Sequence, residues 1–149
     1  MKLNPDCIRD VLIYLEENLT YSDDEEYVIA HKAISASRVI QELSEAKGYS
    51  TGDVKYSIEK LIEVKYISAT DVITGGNERV ISFKIKDILY DGHEFLATVR
   101  PETIWEATKN GASKIGAMSI HALGYIAKKV VDLIISNPTV ISDIASKIQ

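Results

Sequence analysis

The feature that most restricts what this chain can fold into is a change of hydrophobic period that later reverses. Apolar residues recur at helical spacing through three stretches, then alternate, then return to helical spacing. The first stretch carries its own start signal. Asn4 suits an N-cap, Pro5 the first helical position, and Asp6 the positive end of the helix dipole. Ile8, Val11, Leu12, Leu15 and Leu19 then form one apolar face. Residues 20–32 lose the period and read as a loop. A second helix is expected over residues 36–46, capped by Ser35, with Val39, Ile40 and Leu43 inward. Lys47-Gly48-Tyr49 ends it, because Gly48 can take the left-handed conformation that closes a helix. Ser50-Thr51-Gly52-Asp53 has the form of a capping box and opens a third helix to about residue 64, with Val54, Ile58, Leu61 and Ile62 inward.

Alternation follows. Tyr66 to Ile73 is rich in β-branched residues, and Val80 to Ile85 sets Ile81, Phe83 and Ile85 on one face against Ser82, Lys84 and Lys86 on the other. Thr74-Gly75-Gly76-Asn77-Glu78 lies between them, and its glycines permit the positive φ of a hairpin turn. Beyond it, Asp91 and Glu94 read as a capping box for a helix with Phe95, Leu96 and Val99 inside. Pro101 bends or restarts that helix, Ile104 and Trp105 continue it, and Gly111 breaks it. Ala112 to Ser136 is the longest periodic run. Asn137-Pro138 stops it, and a short helix with Ile141, Ile144 and Ile148 ends the chain.

Three helices and a hairpin in this order are the elements of a winged helix-turn-helix, in which helices two and three form the helix-turn-helix and the hairpin is the wing. The expected fold is therefore mainly α with a small β-hairpin. A winged-helix domain over residues 3–90 is followed by a helical extension over residues 91–149. With 149 residues, 46% apolar and 26% charged, the chain has the make-up of a globular domain and not of a disordered or membrane-bundle protein. Its single cysteine, Cys7, allows no internal disulfide and reads as a buried small hydrophobe. The opening Met1-Lys2-Leu3-Asn4-Pro5-Asp6 is polar and carries no secretory signal, so a cytoplasmic location is expected.

Two motifs carry a resemblance. Asn4-Pro5-Asp6-Cys7-Ile8-Arg9-Asp10-Val11-Leu12 is one, and Ile88-Leu89-Tyr90-Asp91-Gly92-His93-Glu94-Phe95-Leu96, followed by Arg100 and Trp105, is the other. Over most of residues 3–110 the chain resembles the domain-of-unknown-function family numbered 2513, which is met in bacterial genomes and their prophages. Tyr90 stands where such families place Thr after the Leu that ends the last strand. The resemblance implies a winged-helix fold and a phage or prophage origin, and it brings no activity with it.

Charge bears on function. The net charge is −5, and residues 1–32, with the run Asp23-Asp24-Glu25-Glu26, hold all of the excess; residues 33–86 are at +1 and residues 87–149 at −1. Only the middle third can offer DNA a basic patch. If double-stranded DNA is bound, Ser50, Thr51, Lys55, Tyr56 and Lys60 on the third helix would enter the major groove. Arg38, with Arg79 or Lys84 near the wing, would meet phosphates. The plainer reading is a solvated face, with Asp53 and Glu59 repelling phosphate.

Little supports catalysis. His31, His93 and His121 lack partners at metal-ligand spacing, and there is no serine elbow, Walker loop or G-x-G-x-x-G. Neither an enzyme, a metal nor a cofactor is expected. The run Ala112–Ser136 is too charged to span a membrane, since His121, Lys128, Lys129 and Asp132 interrupt it. It reads best as a homodimer seam through Leu123, Ile126, Val130 and Leu133, with the small residues Gly116, Ala117 and Gly124 admitting a neighbour; the alternative is a monomer in which the helix folds back over helix one and the bend at Pro101. Two functions stay open: a dimeric DNA-binding transcriptional regulator, or a winged-helix module that binds a protein partner.

Overall fold

A computed structural model describes residues 1–23 and 29–137. The chain is mainly helical with small antiparallel sheets, and it divides into two compact units, Met1–His93 and Glu94–Gln149.

The N-terminal unit opens with helix α1 (Pro5–Asn18), whose cap Asn4 accepts a hydrogen bond from the Cys7 amide at 3.2 Å. Cys7, Ile8, Val11, Leu12 and Leu15 line its buried face. Residues 20–32 are not the expected loop. Strands β1 (Thr20–Asp23) and β2 (Ile29–Lys32) pair antiparallel there as a hairpin of their own. Their side chains are mostly exposed, Ile29 at 68% and Tyr21 at 63%, so no buried face imprints an alternation on the sequence.

Strand β3 (Ile34–Ser35) leads into helix α2 (Ala36–Lys47), and Ser35 caps it by accepting from the Arg38 amide at 3.3 Å. Gly48, at φ 75°, closes α2 in the left-handed region. Three residues later helix α3 (Thr51–Glu63) begins, with Ser50 accepting from the Asp53 amide at 3.1 Å. Val54, Ser57, Ile58 and Leu61 are buried along it, and Ile62 is only half-buried.

Strands β4 (Ile67–Thr74) and β5 (Val80–Ile88) form the wing. With β3 they make a three-stranded antiparallel sheet in the order β3-β5-β4. This is a winged helix-turn-helix arrangement: α1, a short strand, α2, α3, then a two-strand wing whose second strand lies centrally. The buried stripe of the wing is shorter than the alternation suggests. Ile67, Ile85 and Ile88 are buried, Phe83 is half-buried, and Ile81 is 68% exposed, because the outer half of the hairpin projects past the core. The turn also differs in detail: the positive φ falls on Asn77 (64°), not on a glycine. Asn tolerates that region better than most residues.

Helix α4 (Tyr90–Val99) starts one residue before Asp91, so Asp91 lies in the first turn and is not its cap. The amide of His93 donates to the Leu89 carbonyl at 3.0 Å, which begins the helical pattern.

In the C-terminal unit, Phe95, Leu96 and Val99 of α4 are buried. Pro101 is the cap residue of helix α5 (Glu102–Ile115), which buries Trp105, Thr108 and Ala112. Gly111 does not break this helix. It lies within α5, and a Cβ there would approach the Ile126 Cγ2 to 3.2 Å, so glycine permits a close helix crossing. The interruption comes at Gly116 (φ 71°), which splits the expected run Ala112–Ser136 into the end of α5 and helix α6 (Ile120–Ile135). Two packed helices with one shared apolar side each produce the same periodic run as a single long helix, which is why the spacing alone misplaces the turn. Ile141, Ile144 and Ile148, like Asp24 to Glu26, lie outside the described residues.

Candidate functional site

The helix-turn-helix is assembled by local signals and then fixed by tertiary bonds. Gly48 and Ser50 end one helix and start the next, and between them Tyr49 donates from its hydroxyl to Asp10 Oδ2 of α1 at 2.6 Å. Burial, and then the Asp10 carboxylate, push the Tyr49 phenol far above its ordinary pKa, so it remains a donor at any physiological pH. This bond ties the turn to α1 and sets the direction in which α3 leaves it.

Ser50, Thr51 and Lys55 are exposed at the N-terminal end of α3, and Tyr56 is half-buried beside them. Lys55 Nζ lies 4.0 Å from Glu59. Lys60 Nζ donates to Glu63 at 2.6 Å and lies 5.3 Å from the Tyr56 ring centroid. Arg38 is exposed in the first turn of α2, where Nε donates to Glu42 at 3.0 Å. The Tyr14 hydroxyl of α1 donates to the same carboxylate. Hydrogen bonds from Tyr14 and Arg38 hold Glu42 below its ordinary range. Burial, and next the Glu42 bond, push Tyr14 up to about 12.

The wing supplies the other cations. Ser35 of β3 pairs with Lys84 of β5, so the strand that leads into α2 also brings Lys84 alongside the start of that helix. Lys84 Nζ is 3.7 Å from Asp71, a residue at φ 51° where the β4–β5 register is irregular. Arg79 is exposed at the wing tip, and its backbone carbonyl accepts from the Gly75 amide at 2.7 Å.

The predicted contact residues thus occupy α3, the start of α2 and the wing, and Arg38, Lys55, Lys60 and Lys84 each face a carboxylate. Two of those partners, Glu42 and Glu59, are legible as four-residue spacings on a helix. Tyr14 and Asp71 are not, because only the packing of α1 on α2 and the bulge in β4 bring them near. All four ion pairs are solvent-facing contacts that water and salt screen, so a polyanion can compete with the carboxylates for them.

The predicted dimer seam does not survive as a single stripe. Leu123 is fully buried within the C-terminal unit, Ile126 packs against Gly111, and Val130 is half-buried, because α5 folds against α6 and consumes that face. Gly124 faces Phe95 of the same chain, its neighbour being internal. Leu133 alone of the four is well exposed, at 70%.

His31, which stacks at 4.7 Å on Tyr21, belongs to β2, His93 to α4 and His121 to α6. Among the described residues, no group of three or more His, Cys, Asp and Glu is placed to hold a metal ion. No helix among them is long and apolar enough to cross a membrane.

The family described as "Hypothetical protein (DUF2513)" matches residues 2–119. No curated protein and no solved structure matches the chain.

Proposed function

The chain belongs to the DUF2513 family, and we propose that it is a DNA-binding protein that reads duplex DNA through α3, in the manner of a transcriptional regulator. The observation that carries this reading is the way α3 is presented. A three-residue turn sets it against α2, its inner face holds Val54, Ile58 and Leu61, and Ser50, Thr51 and Lys55 are exposed at its leading end. A helix offered in this way suits the major groove, with hydroxyl and amine groups toward base edges. Arg38, Arg79 and Lys84 are the phosphate contacts. A two-fold dimer would offer two copies of α3 to a symmetric site.

A second reading is a protein-binding winged helix. Two observations favour it: Arg38, Lys55 and Lys84 are matched by carboxylates, and Val72, Ile73, Val80 and Ile81 are exposed along the outer wing. Fluorescence titration with random-sequence duplex DNA separates the two. Under the first reading, binding at low salt weakens steeply as salt is raised, because each neutralised phosphate releases counterions. The double variant Lys55→Glu with Arg79→Glu then weakens binding at least about tenfold, removing two contacts and adding two repulsions. If no binding occurs at low salt, where attraction between exposed charges is strongest, the protein-binding reading takes its place.

A further inference from the structure

We propose that the chain self-associates through the outer face of α6, as an antiparallel pair of α6 helices from two copies, related by a two-fold axis that passes between Lys129 and Asp132. The inner face of α6 is already occupied within one chain, since Ile120, Leu123 and Ala127 are buried. The opposite face carries Tyr125, Lys129, Asp132, Leu133 and Ser136, which recur at helical spacing and are all exposed. Tyr125 is 65% and Leu133 70% exposed, and Ile135 beside them is 66% exposed. The outer face thus leaves three large side chains, Tyr125, Leu133 and the flanking Ile135, in solvent around a charged centre, Lys129 and Asp132.

Charge identifies what covers it. Lys129 and Asp132 lie one turn apart on the same face, so the face is its own electrostatic complement when reversed. In an antiparallel pair, Lys129 of one protomer meets the partner's Asp132, and its Asp132 meets the partner's Lys129. The same two-fold sets Tyr125 across from the partner's Ser136. It also lays the Lys128 stem over the partner's Leu133, where a long aliphatic stem can cover an apolar side chain while its amine stays wet. A parallel pair would set lysine on lysine and aspartate on aspartate. Lys129 Nζ lies 5.4 Å from the Tyr125 ring centroid, so the amine stays on this outer face and does not turn toward the inner one. Apolar ground extends from Leu133 into a groove of about 580 Å³ lined by Ala107, Val130 and Ile134. An isologous contact of this kind closes on itself as a dimer.

The seam differs from one through Leu123, Ile126, Val130 and Leu133, and charge-swap variants of the full chain test it without DNA. Sedimentation equilibrium across micromolar concentrations should give a dimer for the natural chain. Lys129→Asp alone and Asp132→Lys alone should each raise the dissociation constant at least about tenfold, since each turns two cross-pairs into like-charge contacts. Lys129→Asp combined with Asp132→Lys should restore the dimer, because the reversed face is again self-complementary. Both residues are exposed, and unchanged far-ultraviolet dichroism checks that the single variants are folded. A natural chain that stays monomeric overturns the proposal. So does a dimer indifferent to the single reversals, or one that the double exchange fails to restore.

Discussion

Cys7 shows how a single buried side chain couples this fold to pH. Its thiol is fully buried in α1, and burial pushes it up to about 11, with the Ser57 hydroxyl pulling the other way and the Asp53 and Asp10 charges adding to the rise. The folded chain therefore holds the thiol proton between pH 9.0, the ordinary value, and about 11, while the unfolded chain releases it. Stability falls wherever the unfolded state binds fewer protons, so the thiol's contribution is intact below pH 9.0 and is lost as pH rises through that window. Two pKa units correspond to about 2–3 kcal/mol. Tyr14 and Tyr49, both raised by burial, act in the same direction at higher pH. Urea unfolding at pH 8 and pH 10.5 should show a drop for the natural chain that is smaller for Cys7→Ala, although Cys7→Ala starts from a lower baseline because it leaves a cavity. An equal drop in both chains would place the titration elsewhere.

The junction of β5 and α4 is an element whose geometry rests on one glycine. The Leu89 amide donates to the Tyr66 carbonyl at 2.8 Å, which closes the end of the sheet. Gly92, in the first turn of α4, passes so close that a Cβ would run into that carbonyl oxygen and the Ile88 side chain. Gly92→Ala should therefore cost about 1–3 kcal/mol in thermal or urea unfolding, although alanine is the better helix former. Stabilisation by this substitution would show that the contact is loose. The residues Tyr90-Asp91-Gly92-His93-Glu94 stand out in the sequence, but the reason for Gly92 does not, since Tyr66 is distant along the chain. The same division runs through the rest of the fold. Asn4-Pro5, Ser35, Gly48 and Ser50 are local signals, and the structure places each at the helix end where it was expected. Strand β3 has two residues, too few to set a period, and β1 and β2 bury too little to show one. At the site, the exposed end of α3 follows from helical spacing. The coupling of Arg38 to Tyr14 through Glu42 follows only from how two helices pack.

At the scale of the whole molecule, the net charge of −5 opposes DNA, and α3 itself carries Asp53, Glu59 and Glu63 against Lys55 and Lys60. Affinity must then come from a few local contacts. With Arg38, Arg79 and Lys84 as the phosphate partners, the logarithmic salt slope should be no steeper than about −3, at roughly 0.9 for each phosphate neutralised. The most direct measurement is a residue-resolved one: amide chemical shifts of the isotope-labelled full chain, followed as random-sequence duplex DNA is added at low salt. The account predicts shifts concentrated at residues 50–56 of α3, with a second group at residues 79–84 of the wing. No shifts, or shifts confined to β1, β2 and the far side of α1, would contradict it.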